Sequence, residues 1–104
     1  RLVEQWPDVE AAICVSDLSA FGALSECQRR KWPVPKRIAI AGFGDFEISS
    51  CSHPTITTVG VNCYEIGKRS GELLLRAIEG ERASKPIGAE TIITPYAVIP
   101  RDSA

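Results

Sequence analysis

The stretch Arg37-Ile-Ala-Ile-Ala-Gly-Phe-Gly-Asp-Phe46 joins a short run of small and branched apolar residues to a loop that contains two glycines. The apolar part predicts a strand at residues 37 to 43 that is covered on both faces, as parallel strands between helices are. Ligands of open α/β sheets bind beyond the carboxyl ends of such strands. We therefore predict that Phe43, Gly44 and Asp45 form the edge of a binding cleft, where glycine lets a ligand approach the main chain.

A second apolar run, Ala11 to Val15, predicts another buried strand, and residues 18 to 31 predict the helix that connects the two strands. Ser16 or Asp17 can cap this helix. A strand, helix and strand of these lengths form a βαβ unit, which is right-handed and has parallel strands. Parallel pairing is expected to bring the serine–aspartate step to the same end of the sheet as the glycine-containing loop.

The remaining elements are predicted from capping residues, apolar spacing and prolines. The sequence predicts the last turns of a helix at 1 to 6, irregular turns at 46 to 52, a strand at 55 to 61, a helix from Asn62 to Glu79 ended by Gly80, short strands at 89 to 94 and 96 to 99, and a polar end at 101 to 104. The predicted helix end at residues 1 to 6 indicates that the chain begins inside a domain, and no second domain is apparent. The predicted fold class is α/β, with an open, mostly parallel sheet flanked by helices.

The composition is that of an ordinary folded protein, with 44% hydrophobic and 24% charged residues and a formal net charge of -1. This charge gives no basic surface for nucleic acid or membrane, and no apolar run approaches the roughly twenty residues of a membrane span. The spacing of the cysteines argues against a metal site. Cys14 and Cys27 are expected to be small buried residues in a reducing compartment. The sequence does not decide whether Cys51 and Cys63 form a disulfide.

Enzymatic functions lack their characteristic motifs. Gly42-Phe-Gly44 matches the start of the dinucleotide fingerprint, but Glu47 occupies its sixth position and no long helix follows before the next proline. His53, the single histidine, precedes a proline, and no G-x-S-x-G elbow is present to place a nucleophile. Because the predicted cleft has no paired acid and base, we expect neither an enzyme nor a cofactor.

The side chains at the predicted cleft have alternative roles. Asp17 is expected to cap its helix rather than contact a ligand, whereas Asp45 could equally hold its turn or accept ligand hydroxyls. Phe43 is expected in the core more than against a ligand ring. Both tryptophans, Trp6 and Trp32, stand beside prolines and are expected to be packing residues.

Short motifs follow one another along nearly the whole chain, and their order is more specific than any one of them. They are Pro7-Asp8, Ala11 to Leu24, Val34-Pro35, Ile38 to Phe43, Pro54 to Val59, Glu65 to Gly67 and Arg101-x-Ser103. This ordered set resembles the C-terminal part of the lactose/galactose repressor family. The resemblance implies that residues 1 to 104 are the C-terminal part of an effector-binding sensor domain, chiefly one lobe of a periplasmic-binding-protein-like fold. The N-terminal lobe and the helix-turn-helix DNA-binding domain would lie outside this chain.

The resemblance also implies a function. A cytoplasmic, homodimeric repressor of this family binds a small effector, a sugar or sugar acid, between two lobes and thereby changes its affinity for operator DNA. The resemblance implies no membrane partner, and DNA contacts only through the absent domain. It places the ligand-binding residues at Ser16, Asp17, Phe43, Gly44 and Asp45, and the dimer interface at Phe21, Ser49, Cys51, Ser52 and His53. The alternatives are a periplasmic sugar-binding protein that serves a transporter and, third, a dehydrogenase fragment.

The effector positions depart from the family pattern at two residues. Ser16 stands where the family commonly has asparagine, and Gly44 stands where it has a sugar-binding aspartate. Loss of that carboxylate removes an acceptor for sugar hydroxyls and also a charge that would repel an acid. The segments Glu26 to Arg29 and Ala39 to Phe46 resemble the gluconate-operon repressor branch, which implies a sugar acid such as gluconate as the effector.

Overall fold

The computed structural model describes residues 2 to 104, with side chains from Val3 onward. Its elements are α1 (Leu2–Gln5), β1 (Ala11–Ile13), α2 (Asp17–Arg29), β2 (Ala39–Ala41), α3 (Glu47–Cys51), β3 (Thr58–Val61), α4 (Cys63–Arg82) and β4 (Tyr96–Ile99). The chain forms two compact units. Unit 1 contains the residues up to Gly60 and Ala97–Ala104, and unit 2 is Val61–Tyr96. The second unit was not predicted from the sequence.

The sheet of unit 1 confirms the predicted parallel βαβ unit. Strands β1 and β2 are parallel, with Ala11 opposite Ala39 and Ile13 opposite Ala41. A parallel bridge from Ala41 to Thr57 continues the pairing toward β3, and β3 pairs with β4. Both strand ends that the sequence singles out therefore emerge at one edge of the sheet.

Helix α2 covers one face of this sheet. The core consists of Ala20, Leu24, Cys27, Ile38, Ile40 and Ile56. Its three helical members recur at intervals of four and three residues, which places them on one face of α2. The run from Ala11 to Val15 is not buried on both sides as predicted, because Ile13 in β1 is 87% exposed and Val15, which follows the strand, is 86% exposed.

The two tryptophans have different surroundings. Trp32 packs against the core, and the guanidinium groups of Arg30 and Arg37 lie 5.0 and 5.3 Å from its ring centroid. These distances are typical of cation–π contacts, so the predicted packing role of Trp32 is confirmed. The same prediction is wrong for Trp6, which is 59% exposed.

Helix α4 of unit 2 begins as predicted. The Asn62 side chain accepts a hydrogen bond of 2.9 Å from the backbone N–H of Glu65, as an N-cap residue does. The predicted end is wrong, since the helix continues through Gly80 to Arg82. A Cβ atom on Gly80 would lie 2.7 Å from the carbonyl oxygen of Lys85. The glycine therefore permits the returning chain to pass close to the helix instead of ending it.

Two further predictions are corrected. The predicted irregular turns contain the short helix α3, because the Phe46 carbonyl accepts a 2.8 Å bond from the N–H of Ser49 and starts a helical turn. The predicted strand at 89 to 94 has no regular structure. Within it, Ile92 lines a pocket with Ile66 and Leu73 of α4, so its apolar side chain faces the same space as two residues of this helix.

The cysteines are free thiols. Cys27 is buried as predicted and Cys14 is half-buried, while Cys51 and Cys63 are exposed and unpaired. Burial raises the pKa of the Cys14 and Cys27 thiols. Among the residues that the structure describes, no group of histidine, cysteine and acidic side chains could hold a metal ion. In the same part of the chain, no helix combines the length and apolarity needed to cross a membrane.

Candidate functional site

The loops after β1 and β2 lie side by side and form a continuous edge. We call this edge the strand-end rim and define it as Ser16, Asp17, Phe43, Gly44, Asp45 and Phe46. The backbone N–H of Asp17 donates to the Phe43 carbonyl at 3.1 Å, and that of Cys14 donates to the Ala41 carbonyl at 2.8 Å. The structure thus brings together the five residues predicted to bind a ligand.

Asp17 is a buried structural residue of the rim. Its side chain is fully buried, with Oδ2 accepting from the Phe46 N–H at 2.7 Å and Oδ1 accepting from the Thr58 hydroxyl at 2.5 Å. The predicted capping role of Asp17 is wrong, because Ser16 caps α2 by accepting from the N–H of Ser19 at 3.2 Å. Since both Asp17 oxygens are used internally, this carboxylate holds the rim together.

Gly42 is required by the position of Asp17. A Cβ atom at Gly42 would lie only 2.2 Å from Asp17 Oδ1, which no heavy-atom contact allows. The residue is fully packed between this carboxylate and the backbone of Thr57, whose carbonyl accepts from the Gly42 N–H at 2.8 Å. The first glycine of the loop therefore makes room for the aspartate that joins the two strand ends.

Asp45 is held by a residue near the C-terminus. Its Oδ1 forms an ion pair of 2.7 Å with Nη2 of Arg101, and its backbone has a positive φ of 54°. Arg101 was expected only in a polar end, and composition or periodicity gives no signal for this contact. The one signal in the sequence is the Arg101-x-Ser103 motif, in which Ser103 also donates to the Ile40 carbonyl at 2.6 Å.

Two aromatic rings and a glycine shape the exposed surface of the rim. Phe43 is 45% exposed and Phe46 is 44% exposed, so the expectation of Phe43 in the core is wrong. Gly44 has a φ of +118°, and a Cβ atom there would lie 3.1 Å from the Phe46 ring. A side chain at Gly44 would therefore strain the backbone and crowd Phe46.

The polar groups of the rim differ in whether their atoms already have partners within the protein. The carboxylates of Asp17 and Asp45 are both engaged in the contacts described above. The exposed hydroxyls of Ser16 and Ser19 lie 3.1 Å apart and can donate to or accept from a ligand. The rim thus offers aromatic faces and hydroxyls, with its negative charges already compensated or buried.

The residues predicted at a dimer interface fall into two groups. Phe21 is 38% exposed, and Cys51 and His53 are exposed as well. Ser49 and Ser52 are 0% and 8% exposed. These two hydroxyls are packed within unit 1, so the structure contradicts a direct contact between them and a partner.

The comparisons with known proteins agree with this fold. A family model described as "Periplasmic binding protein-like domain" matches residues 1–104. The HTH-type transcriptional repressor CytR of Escherichia coli K12 is 35% identical over 86 residues, which cover 80% of this chain and 25% of CytR. The HTH-type transcriptional regulator GntR of Pseudomonas aeruginosa is 36% identical over 81 residues, covering 78% of this chain and 24% of GntR.

A solved structure, described as a complex of the transcriptional regulator CelR with cellobiose, superposes with a TM-score of 0.86 at 25% identity, covering 99% of this chain and 30% of that one. The fold and the strand-end rim thus define an effector-domain segment of the periplasmic-binding-protein type. The chain belongs to the periplasmic binding protein-like domain family, in the form found in LacI-family transcriptional regulators. It spans about a quarter of the length of the curated relatives it matches.

Proposed function

We propose that this chain is part of the sensor of a bacterial transcriptional regulator and that the strand-end rim contacts a small effector. The observation that carries the proposal is the joining of two parallel strand ends into one edge, through the bond from the Asp17 N–H to the Phe43 carbonyl, while the Phe43 side chain remains exposed. Open α/β sheets bind ligands at this position. Binding without catalysis suits the rim, because its carboxylates already have internal partners.

The proposed effector is a sugar or sugar acid, with gluconate as the leading candidate. The cellobiose complex of the structural neighbour CelR supports a carbohydrate. An acid is favoured because Gly44 carries no carboxylate that would repel it. The φ of +118° at Gly44 and the nearby Phe46 ring disfavour a side chain at this position. Since the Asp45 charge is paired with Arg101, an anionic ligand would meet little repulsion from this edge.

Titration calorimetry with the full-length protein tests this proposal. We expect D-gluconate to bind more tightly than D-glucose, which has no charge. Phe43→Ala should weaken binding, whereas Tyr64→Ala, which removes an aromatic ring that is 80% exposed in unit 2, should leave it unchanged. Equal affinity for the two compounds would contradict the sugar-acid assignment, and an unaffected Phe43→Ala would contradict the placement of the ligand.

Effector binding is proposed to regulate transcription by changing affinity for operator DNA, through a DNA-binding domain outside this chain. Such coupling requires that the effector bind two conformations of the regulator with different affinities. The HTH-type names of the relatives support a DNA-binding regulator that acts in the cytoplasm. A gel-shift measurement with operator fragments, made with and without D-gluconate, should show a change in the apparent Kd.

A homodimer through unit 1 is also proposed, with Phe21, Cys51 and His53 at its surface. Phe21 and Gln28 are seven residues apart and therefore lie on the same face of α2. Gln28 Nε2 donates to the His53 carbonyl at 2.5 Å, which links this face to the loop after α3. The three exposed residues thus belong to adjoining elements of one surface.

Phe21→Glu tests the interface. A charge at the centre of an apolar contact should produce monomers, which sedimentation velocity detects directly. Leu74→Glu is the matched control, because Leu74 is an exposed apolar residue of the other unit. Dimers that persist in Phe21→Glu would refute the assigned surface.

A further inference from the structure

We propose that Arg101 is a positioning residue for the strand-end rim. It holds Asp45 directly and the Phe46 carbonyl through Ser49, and thereby sets the loop conformation that presents Phe43 to an effector. The part of this inference that concerns effector affinity rests on the proposed function. The part that concerns the conformation of the loop is independent of it.

The first contact supports an unfavourable backbone conformation. Asp45 has a φ of 54°, in the left-handed region that aspartate adopts more often than most residues but still less readily than glycine. Its carboxylate lies 2.7 Å from Arg101 Nη2, and the side chains of Arg101 and Asp45 are only 18% and 36% exposed. A partly buried pair is screened less than an exposed one, so it can offset the strain of this turn.

The second contact reaches the next residue of the loop, Phe46. Ser49 Oγ accepts from Arg101 Nη1 at 2.7 Å and donates to the Phe46 carbonyl at 2.7 Å. Because the Phe46 N–H is bound to Asp17, both polar groups of this residue are anchored. Arg101 therefore supports the loop at two successive residues, Asp45 and Phe46.

The guanidinium is itself fixed in place. Its Nη1 also donates to the Ile56 carbonyl at 3.0 Å, and the backbone N–H of Arg101 donates to the Thr57 hydroxyl at 2.8 Å. A planar guanidinium with several donors holds these acceptors in a defined arrangement, which the single ammonium group of lysine cannot reproduce. The conformation of the rim thus depends on a residue 56 positions away from Asp45 in the sequence.

Hydrogen–deuterium exchange of the full-length protein tests the conformational part. In Arg101→Gln we expect the amides of residues 42 to 48 to exchange about tenfold faster, the loss expected when a charge-assisted contact is removed, while α4 is unchanged. Arg76→Gln is the control, because it breaks the 2.8 Å Arg76–Glu90 pair in unit 2 and should leave the rim unchanged. An unchanged rim in Arg101→Gln, or an equal increase in all peptides, would overturn the proposal.

Calorimetry with D-gluconate and D-glucose tests the part that concerns affinity. Arg101→Gln and Asp45→Asn should each weaken binding of the bound probe about tenfold. The double variant should bind no more weakly than the weaker single variant, because both changes remove the same contact. Additive losses, or an unchanged Arg101→Gln, would overturn the positioning role. If the unmodified protein binds neither probe, the proposed function fails, and the exchange experiment still decides the role of Arg101.

Discussion

The two long helices of this protein are stabilised in different ways. Helix α2 has 13 residues and buries four of them, Asp17, Ala20, Leu24 and Cys27. Helix α4 has 20 residues and buries none. It begins at the Asn62 cap and carries a 2.8 Å ion pair from Glu65 to Arg69, one turn later. The comparison indicates that tertiary contacts position α2, whereas local interactions define α4.

The largest expected effect comes from one leucine in each helix. Leu24 is 1% exposed and Leu74 is 62% exposed. Leu24→Ala should lower the free energy of unfolding by about 2–5 kcal/mol, because it leaves a cavity in the core. Leu74→Ala should change it by about 0.5 kcal/mol or less. Urea unfolding of the full-length protein measures both, and equal losses would show that α4 depends on packing as much as α2 does.

A pair of glycines extends the comparison to the backbone. Gly42→Ala should destabilise the protein by about 1–3 kcal/mol, since the new methyl group overlaps Asp17 and overpacks its surroundings. Gly71→Ala in α4 meets no atom within 4 Å and should stabilise it by about 0.4–1 kcal/mol, because alanine is the better helix former. Thermal unfolding decides the sign of each change. A Gly42→Ala variant as stable as the unmodified protein would contradict the close approach of the Asp17 carboxylate.

Both helices begin with a side chain that caps a backbone N–H of the first turn, and this shared feature can be tested. Asn62→Ala and Ser16→Ala each remove an acceptor for a helix N–H and should each cost about 1 kcal/mol. Similar losses are expected because a cap acts within one turn, whatever the helix packs against. Amide exchange of the first turns gives the local effect. A loss confined to Ser16→Ala would mean that α4 does not rely on its cap.

The smallest expected effect concerns pH. Hydrogen bonds from Arg29, and then Arg30, lower the pKa of Glu26 from 4.5 to about 2. A carboxyl group whose pKa is lower in the folded state contributes stability above its unfolded pKa and loses it as pH falls through the folded value. The contribution is small because the group is exposed to solvent. A carbon-detected NMR titration should place the Glu26 midpoint near 2, and a midpoint near 4.5 would contradict the paired geometry.

Elements with strong local signals were predicted closely. The βαβ unit follows from two apolar runs and the helix between them, and its parallel pairing is confirmed. The Asn62 cap is confirmed for the same reason, because the cap and the N–H that it accepts lie three residues apart. The end of α4 was missed, since Gly80 resembles a helix stop unless the returning Lys85 backbone is known.

The candidate site was predicted in part. Parallel strands must end at the same edge, so the loops after β1 and β2 could be placed together from the sequence. The roles of the individual residues within the rim could not be predicted from the sequence. Asp17 was expected as a cap because it precedes a helix, but its oxygens bind Phe46 and Thr58. Asp45 has its partner, Arg101, 56 positions away, and spacing along the chain does not reveal such a contact.

The sequence by itself determined the order and type of the main elements, the parallel pairing and the loops that meet at the sheet edge, because these follow from apolar spacing and capping over a few residues. The tertiary structure alone decided which side chains form contacts within the rim and which remain exposed. It buried Asp17, paired Asp45 with Arg101 and left Phe43 at the surface. The physical reason is that hydrogen bonds and burial depend on distances in space, and residues far apart in the chain set those distances only once the protein has folded.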